Sequence, residues 1–204
     1  MNTTLISKAK EYCLDLLTNS KCKSLPFHSY KHTLEVFENV QVIGKYENLN
    51  ETDLEILMLA ALFHDTGMSI EFDKHENMSA KYAHDFLRNL NFSNKKIVAV
   101  INCIKATVMP QNPKTLLESI ICDADLLHLA SKEYLLKNKL LRSEWSVYAG
   151  LRLTDEEWCQ LNIDFLTNHK YHTQYGKRVL EELKKQNIRL LKNLKVKSSL
   201  QEKS

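Results

Sequence analysis

Four glycines and three prolines are few for 204 residues, and an all-β chain, which needs many tight turns, is excluded on that ground. The longest unbroken apolar run, Ile56 to Phe63, has eight residues, far short of the roughly 20 that a membrane-crossing helix requires. No basic stretch leads into an apolar segment near the N-terminus, so a secretory leader is not expected and a cytoplasmic location is. Five cysteines (Cys13, Cys22, Cys103, Cys122, Cys159) form no Cys-x-x-Cys pair, which fits neither a disulfide framework nor a zinc knuckle. Gly-rich phosphate loops, dinucleotide fingerprints and a serine nucleophile elbow are also missing, which leaves nucleotide-cofactor chemistry and serine hydrolysis without support.

The net charge of +3 is unevenly placed: residues 177–204 hold nine Lys/Arg against three Glu, and the rest of the chain is slightly acidic. A basic end can touch nucleic acid or a membrane surface, but the plainer reading is a solubilising tail, so neither partner is expected. The composition, 44% hydrophobic and 26% charged, is that of a folded domain. Helical periodicity predicts helices over 3–18, 28–46, 51–66, 75–90, 94–106, 115–130, 132–148, 155–168 and 172–194. Gly67 is read as the stop signal of the third, and Pro110 and Pro113 as pinning the loop before the sixth. The expected architecture is all-α: one helical domain over residues 1–191 and a basic, disordered tail over 192–204.

Within this pattern three places put a metal-ligand side chain where an apolar one belongs. His32 lies four residues before Val36 and five before Phe37; His64 follows Leu57, Ala60 and Ala61 at helical spacing, with Asp65 beside it; Asp125 lies midway between Ile121 and Leu129. Any one of these alone reads as a satisfied core histidine or a helix-terminal aspartate. Two carboxylates and two imidazoles in one core, however, are costly unless paired or metal-bound. Two His nitrogens and two carboxylate oxygens suit a first-row divalent ion, Mn²⁺, Fe²⁺, Co²⁺, Ni²⁺ or Zn²⁺, and leave open positions on an octahedral one.

The segments Tyr30-Lys31-His32-Thr33-Leu34-Glu35-Val36, Ala60-Ala61-Leu62-Phe63-His64-Asp65-Thr66-Gly67 and Cys122-Asp123-Ala124-Asp125 resemble the motifs of the HD superfamily of metal-dependent phosphohydrolases. More weakly, His75-Glu76-Asn77-Met78-Ser79-Ala80, Lys105-Ala106-Thr107, Leu141-Arg142-Ser143-Glu144 and Tyr171-His172-Thr173 resemble a bacterial subgroup of predicted HD phosphohydrolases. The resemblance implies an HD-type helical bundle, with His32, His64, Asp65 and Asp125 as ligands of one divalent metal ion. Asp125 is preferred to Asp123 because the ligand follows Ala in that motif. Two-metal members, the oxygenases among them, add two more His ligands between the pair and the closing Asp. His75 matches one, but Lys105-Ala106-Thr107 supplies no other, so hydrolysis is favoured over oxygenation.

The expected activity is hydrolysis of a phosphate ester of a small metabolite, a nucleotide being the leading candidate, by a metal-activated water. His75 and Glu76 are the candidate acid and base, with Asp65 in the catalytic set. Arg142, positioned by Glu144, either grips phosphate or forms a surface ion pair, and Lys105 and His28 are further substrate-binding candidates. His28 equally well caps its helix; His128 could line the site, and His84 reads as a surface residue. The alternative is a non-catalytic HD-fold protein that binds a nucleotide or a partner. The oligomeric state is open, with a homodimer among the options.

Overall fold

The computed structural model describes residues 2–201, and every regular element among them is helical. The helices are α1 (Thr3–Thr18), α2 (Tyr30–Tyr46), α3 (Glu51–Phe63), α4 (His75–Asn89), α5 (Asn94–Ala106), α6 (Leu116–Asp125), α7 (Tyr134–Tyr148), α8 (Asp155–Asn168) and α9 (Glu181–Gln201). Several starts are written in the sequence. Asn2, Asn50, Thr115 and Thr154 each accept a backbone N–H from the first turn that follows, and Thr154 completes a capping box with Glu157.

Several boundaries differ from expectation: α2 starts at Tyr30 rather than His28, and the expected helix over 172–194 opens with a π-helical turn, Gly176–Leu180, before α9. The third helix stops at Phe63 rather than Gly67, and Thr66–Ser69 is a tighter turn. The expected helix over 115–130 breaks at Asp125, and Leu126–Ala130 again forms a 3₁₀ turn. At the other end α9 extends from Glu181 to Gln201, and 202–204, the end of the expected tail, lie outside the described residues.

Contacts divide the chain into two compact units, Met1–Leu126 and Leu127–Ser204, a division the composition does not mark. In the first, α3 packs against α1, α2, α4, α5 and α6. Its residues from Glu55 to Phe63 are buried on every side, which is what a helix apolar all round requires. Each fully buried Leu or Phe there contributes roughly 1.5–3 kcal/mol. The polar exception, Glu55, accepts from the Asn2 N–H at 2.6 Å and from Lys96 Nζ at 3.0 Å, so its charge is paired. The Cys13 and Cys103 thiols are buried and free, and burial pushes Cys103 up to about 12, so both behave as small core residues. No described helix is long and apolar enough to cross a membrane.

In the second unit α8 packs on α9, and a buried network ties α7 to α8. Trp158 Nε1 donates to Asn138 Oδ1 at 2.7 Å, and Tyr134 Oη donates to Asn162 Oδ1 at 3.1 Å. Beside it Lys184, 1% exposed, donates to the His169 carbonyl at 2.5 Å and pairs with Glu181 at 3.1 Å. Burial, then the Lys184 ammonium, hold the His169 imidazole down at about 4. An imidazole depressed below its unfolded value stabilises the fold above about pH 6.5, and that contribution is lost as pH falls from there toward 4. Allowing for its partial exposure, the loss by pH 4.5 should be about 2 kcal/mol. Urea unfolding at pH 7 and pH 4.5 measures it, and His169→Gln should remove that part of the acid sensitivity.

Candidate metal centre

In the first unit four ionisable residues meet where three helices end or begin. His32 lies in the first turn of α2, His64 caps the C-terminus of α3 with Asp65 next to it, and Asp125 is the last residue of α6. A ligand atom from each of His32, His64 and Asp125 lies within 4.8 Å of the other two. His32 Nε2 is 3.1 Å from Asp125 Oδ1 and 3.5 Å from Asp65 Oδ2; His64 Nε2 is 3.1 Å from Asp65 Oδ2 and 3.7 Å from Asp125 Oδ1. Residues 93 apart in sequence thus share one small volume.

The backbone sets the tautomers. His64 Nδ1 lies 2.8 Å from the Ala61 carbonyl, an acceptor, so Nδ1 carries a hydrogen and Nε2 is the nitrogen turned to the carboxylates. His64 Nε2 and Asp65 Oδ2 are both buried, and although close, neither has a hydrogen-bond partner. Buried atoms left in that condition cost about 1–3 kcal/mol each, so they signal a missing partner. A cation between them supplies it. The residues therefore fit a divalent ion: two imidazole nitrogens and two carboxylates, the mixed donor set that first-row metals accept.

The electrostatics agree. Burial alone would raise the Asp65 carboxyl and lower the His64 imidazole, yet the opposite charges prevail. Asp65 is held well below the usual carboxylate range by His64 and His75, and His64 is raised well above its usual value by Asp65 and Asp125. Asp125 is likewise lowered, because the hydrogen bond from His32 and the opposite charge of His64 outweigh its burial. The carboxylate field that raises the imidazole also attracts a metal cation.

Two of the remaining candidates stand beside this cluster. His75 Nε2 lies 3.2 Å from Asp65 Oδ1 and 3.9 Å from Glu76 Oε1, and its Nδ1 donates to the Phe72 carbonyl at 3.2 Å. Burial would lower the His75 imidazole, but Asp65 and then Glu76 raise it. The His28 ring sits 5.8 Å from that of His32 and 6.4 Å from that of His75. Lys105 is exposed on the last turn of α5. Next to it the Ala106 carbonyl accepts from Cys122 Sγ at 3.0 Å, which brings the ends of α5 and α6 together.

Arg142 and Glu144 lie in the second unit. Of the two readings of Arg142, the geometry matches the ion pair: Nη1 donates to Asp155 Oδ1 and Nη2 to the Leu153 carbonyl, both at 2.6 Å. Glu144 is fully buried. His84 pairs with Asp85 at 2.9 Å with its side chain 41% exposed, a surface residue as expected.

Beyond Asp65 and Asp125, the sequence did not point to the groups that orient the imidazoles. The Ala61 and Phe72 carbonyls are backbone, and Phe27, whose ring lies 5.0 Å from that of His32, precedes α2 and so escapes helical phasing. Gly67 was read as a helix stop. Its φ is not in the left-handed region; a Cβ there would collide with the His75 carbonyl and lie 2.8 Å from Ser79 N. The residue is glycine because the start of α4, carrying His75 and Glu76, packs onto the backbone that follows Asp65. Gly67 N–H donates to Ser79 Oγ at 2.8 Å, closing that contact.

Comparison with known proteins places this geometry. No curated protein matches the chain. Among solved structures, Bacillus subtilis YpgQ in complex with ADP is similar at a TM-score of 0.68 and 16% identity, covering 96% of this chain and 95% of that one. A protein from Lactobacillus plantarum matches at a TM-score of 0.72 and 15% identity, covering 98% and 99%. A predicted HD superfamily hydrolase from an uncultured Thermotogales bacterium matches at 0.55 and 22%, covering 82% and 94%. At these identities the likeness is one of fold. The HD domain model matches residues 29–130, a span that opens just before His32 and closes just after Asp125, and the chain belongs to the HD domain family.

Proposed function

We propose that the protein is a metal-dependent phosphohydrolase that cleaves a phosphate ester of a small metabolite, with a nucleotide as the leading substrate class. The observation that carries this reading is the buried pair His64 Nε2 and Asp65 Oδ2, without hydrogen-bond partners, beside the cluster of His32, His64 and Asp125. His32, His64, Asp65 and Asp125 would hold one divalent ion. Such an ion polarises a phosphoryl oxygen and lowers the pKa of a bound water toward neutrality.

The chain's own groups supply the rest. His75, whose Nδ1 hydrogen is committed to Phe72 O and whose Nε2 faces Asp65, holds a proton at Nε2 and is the candidate acid for the leaving oxygen. Glu76, 3.9 Å from it, is the candidate base. Lys105 offers a cation for phosphate on the helix end that abuts α6, and His28 is placed for substrate contact beside His32. The nucleotide preference draws on YpgQ, whose similar fold is seen in complex with ADP.

Turnover of a panel of nucleotides and sugar phosphates by protein loaded with Mn²⁺, Co²⁺ or Ni²⁺ tests the proposal. Phosphate release is expected with metal and should fall to background after chelation with EDTA, returning on re-addition. Nucleotide binding without turnover under every metal would favour the non-catalytic reading instead.

A further inference from the structure

The inward stripe of α2 reads His32, Val36, Asn39, Ile43, at i, i+4, i+7 and i+11. Val36 and Ile43 are buried and apolar, and His32 belongs to the metal centre. Asn39 is the remaining polar member of that stripe. Its Nδ2 donates to the Ala124 carbonyl at 3.0 Å, across 85 residues of sequence. Ala124 directly precedes Asp125, and its carbonyl is among the last of α6, where the regular donors of the next turn are missing and the Leu126 N–H at the cap is the backbone contact. The two polar side chains of the stripe therefore address two consecutive residues of α6: His32 meets the Asp125 carboxylate at 3.1 Å, and Asn39 holds the peptide that carries it.

We propose that Asn39 is a positioning residue for the metal centre: it ties the end of α6 to α2 so that Asp125 and His32 converge at the separation an ion needs. The inference rests on the reading of the cluster as a metal site. Another contact of that helix end, from Cys122 Sγ to the Ala106 carbonyl, uses a weak thiol donor and reaches α5 rather than α2. Loss of a group that orients a ligand typically weakens metal affinity by about 10- to 100-fold.

Titration of metal-free protein with Co²⁺, followed by its visible absorption and by calorimetry, reads the effect without any turnover. Asn39→Leu should bind Co²⁺ about 10- to 100-fold more weakly, with a changed absorption band. Asn39→Asp keeps the shape but removes the donor at neutral pH, and should show the same loss if the leucine variant folds poorly. Asn39→Gln, which retains an amide donor, should recover part of the affinity. Ile43→Val, on the same stripe, should lower the melting temperature of the metal-free protein yet bind Co²⁺ as the parent does. Parent-like Co²⁺ affinity in both Asn39→Leu and Asn39→Asp would overturn the proposal. A parent protein that bound no Co²⁺ would instead overturn the metal reading itself, and the two failures are told apart by the parent titration alone.

Discussion

Asp65→Ala is expected to reduce metal-dependent phosphate release by at least about a thousandfold, equivalent to roughly 4 kcal/mol of transition-state stabilisation. Asp65 is placed to act twice. Oδ2 faces His32 and His64 at 3.5 and 3.1 Å, inside the group that would hold the ion, while Oδ1 lies 3.2 Å from His75 Nε2. One substitution would therefore remove a proposed ligand and the carboxylate that raises the His75 imidazole. The measurement is kcat/KM on whichever substrate the panel identifies, paired with metal content per chain and circular dichroism. Folded, metal-poor and inactive protein is the expected result; a folded variant with parental activity would show that the chemistry resides elsewhere. Asp65→Asn separates the two roles, since the amide keeps the size of the side chain while removing the charge that raises His75.

Gly67→Ala should cost far more stability than Gly44→Ala, the other glycine-to-alanine change in the first unit. An added Cβ would overlap the His75 carbonyl and lie 2.8 and 2.9 Å from Ser79 N and the His75 carbonyl carbon, all backbone atoms of α4 that cannot rotate away. Either α4 shifts or the turn after Asp65 does, and overpacking of this kind costs typically 1–3 kcal/mol or more. The Gly67 N–H to Ser79 Oγ bond, buried at both ends, is lost as well and leaves its groups unpaired. A loss of about 3 kcal/mol or more is therefore expected by urea unfolding. Activity should fall even where the variant still folds, because α4 carries His75 and Glu76. By contrast Gly44→Ala meets two flexible Leu side-chain ends, those of Leu49 and Leu54, at 3.2 Å and should cost much less. If the two variants proved equally stable, the account of the α4 contact would be wrong.

These two residues also show how far sequence reasoning reaches. Asp65 was identifiable because an adjacent His-Asp at the end of an apolar run is conspicuous. Helical spacing was the weaker half of that argument: α3 is buried on all sides, so no stripe singles out His64. What singles it out is its place at the helix terminus, where the chain turns and the imidazole can look away from the core. Gly67 was noticed for the wrong reason. A glycine after a helix reads as a stop signal, whereas its small size here accommodates another helix whose approach no local pattern encodes.

Arg142 marks another boundary. A guanidinium in a motif-like segment is chemically suited to phosphate, yet its fork holds Asp155 and the Leu153 carbonyl just before α8. Local composition cannot distinguish those partners, since both offer oxygen.

By itself the sequence determined that this chain is helical, that it carries no segment able to cross a membrane as a helix, and that histidine and aspartate sit where the apolar phase of α2 and α6 calls for hydrocarbon. Those properties follow from residue spacing and composition, which act over a few turns of chain. Tertiary structure decided which nitrogen of His64 is free, that Asp65 addresses the cluster with one oxygen and His75 with the other, and that Asn39 fastens the peptide before Asp125. These depend on distances between residues tens of positions apart, set when α3 is enclosed by its neighbours, and no periodicity along the chain records them.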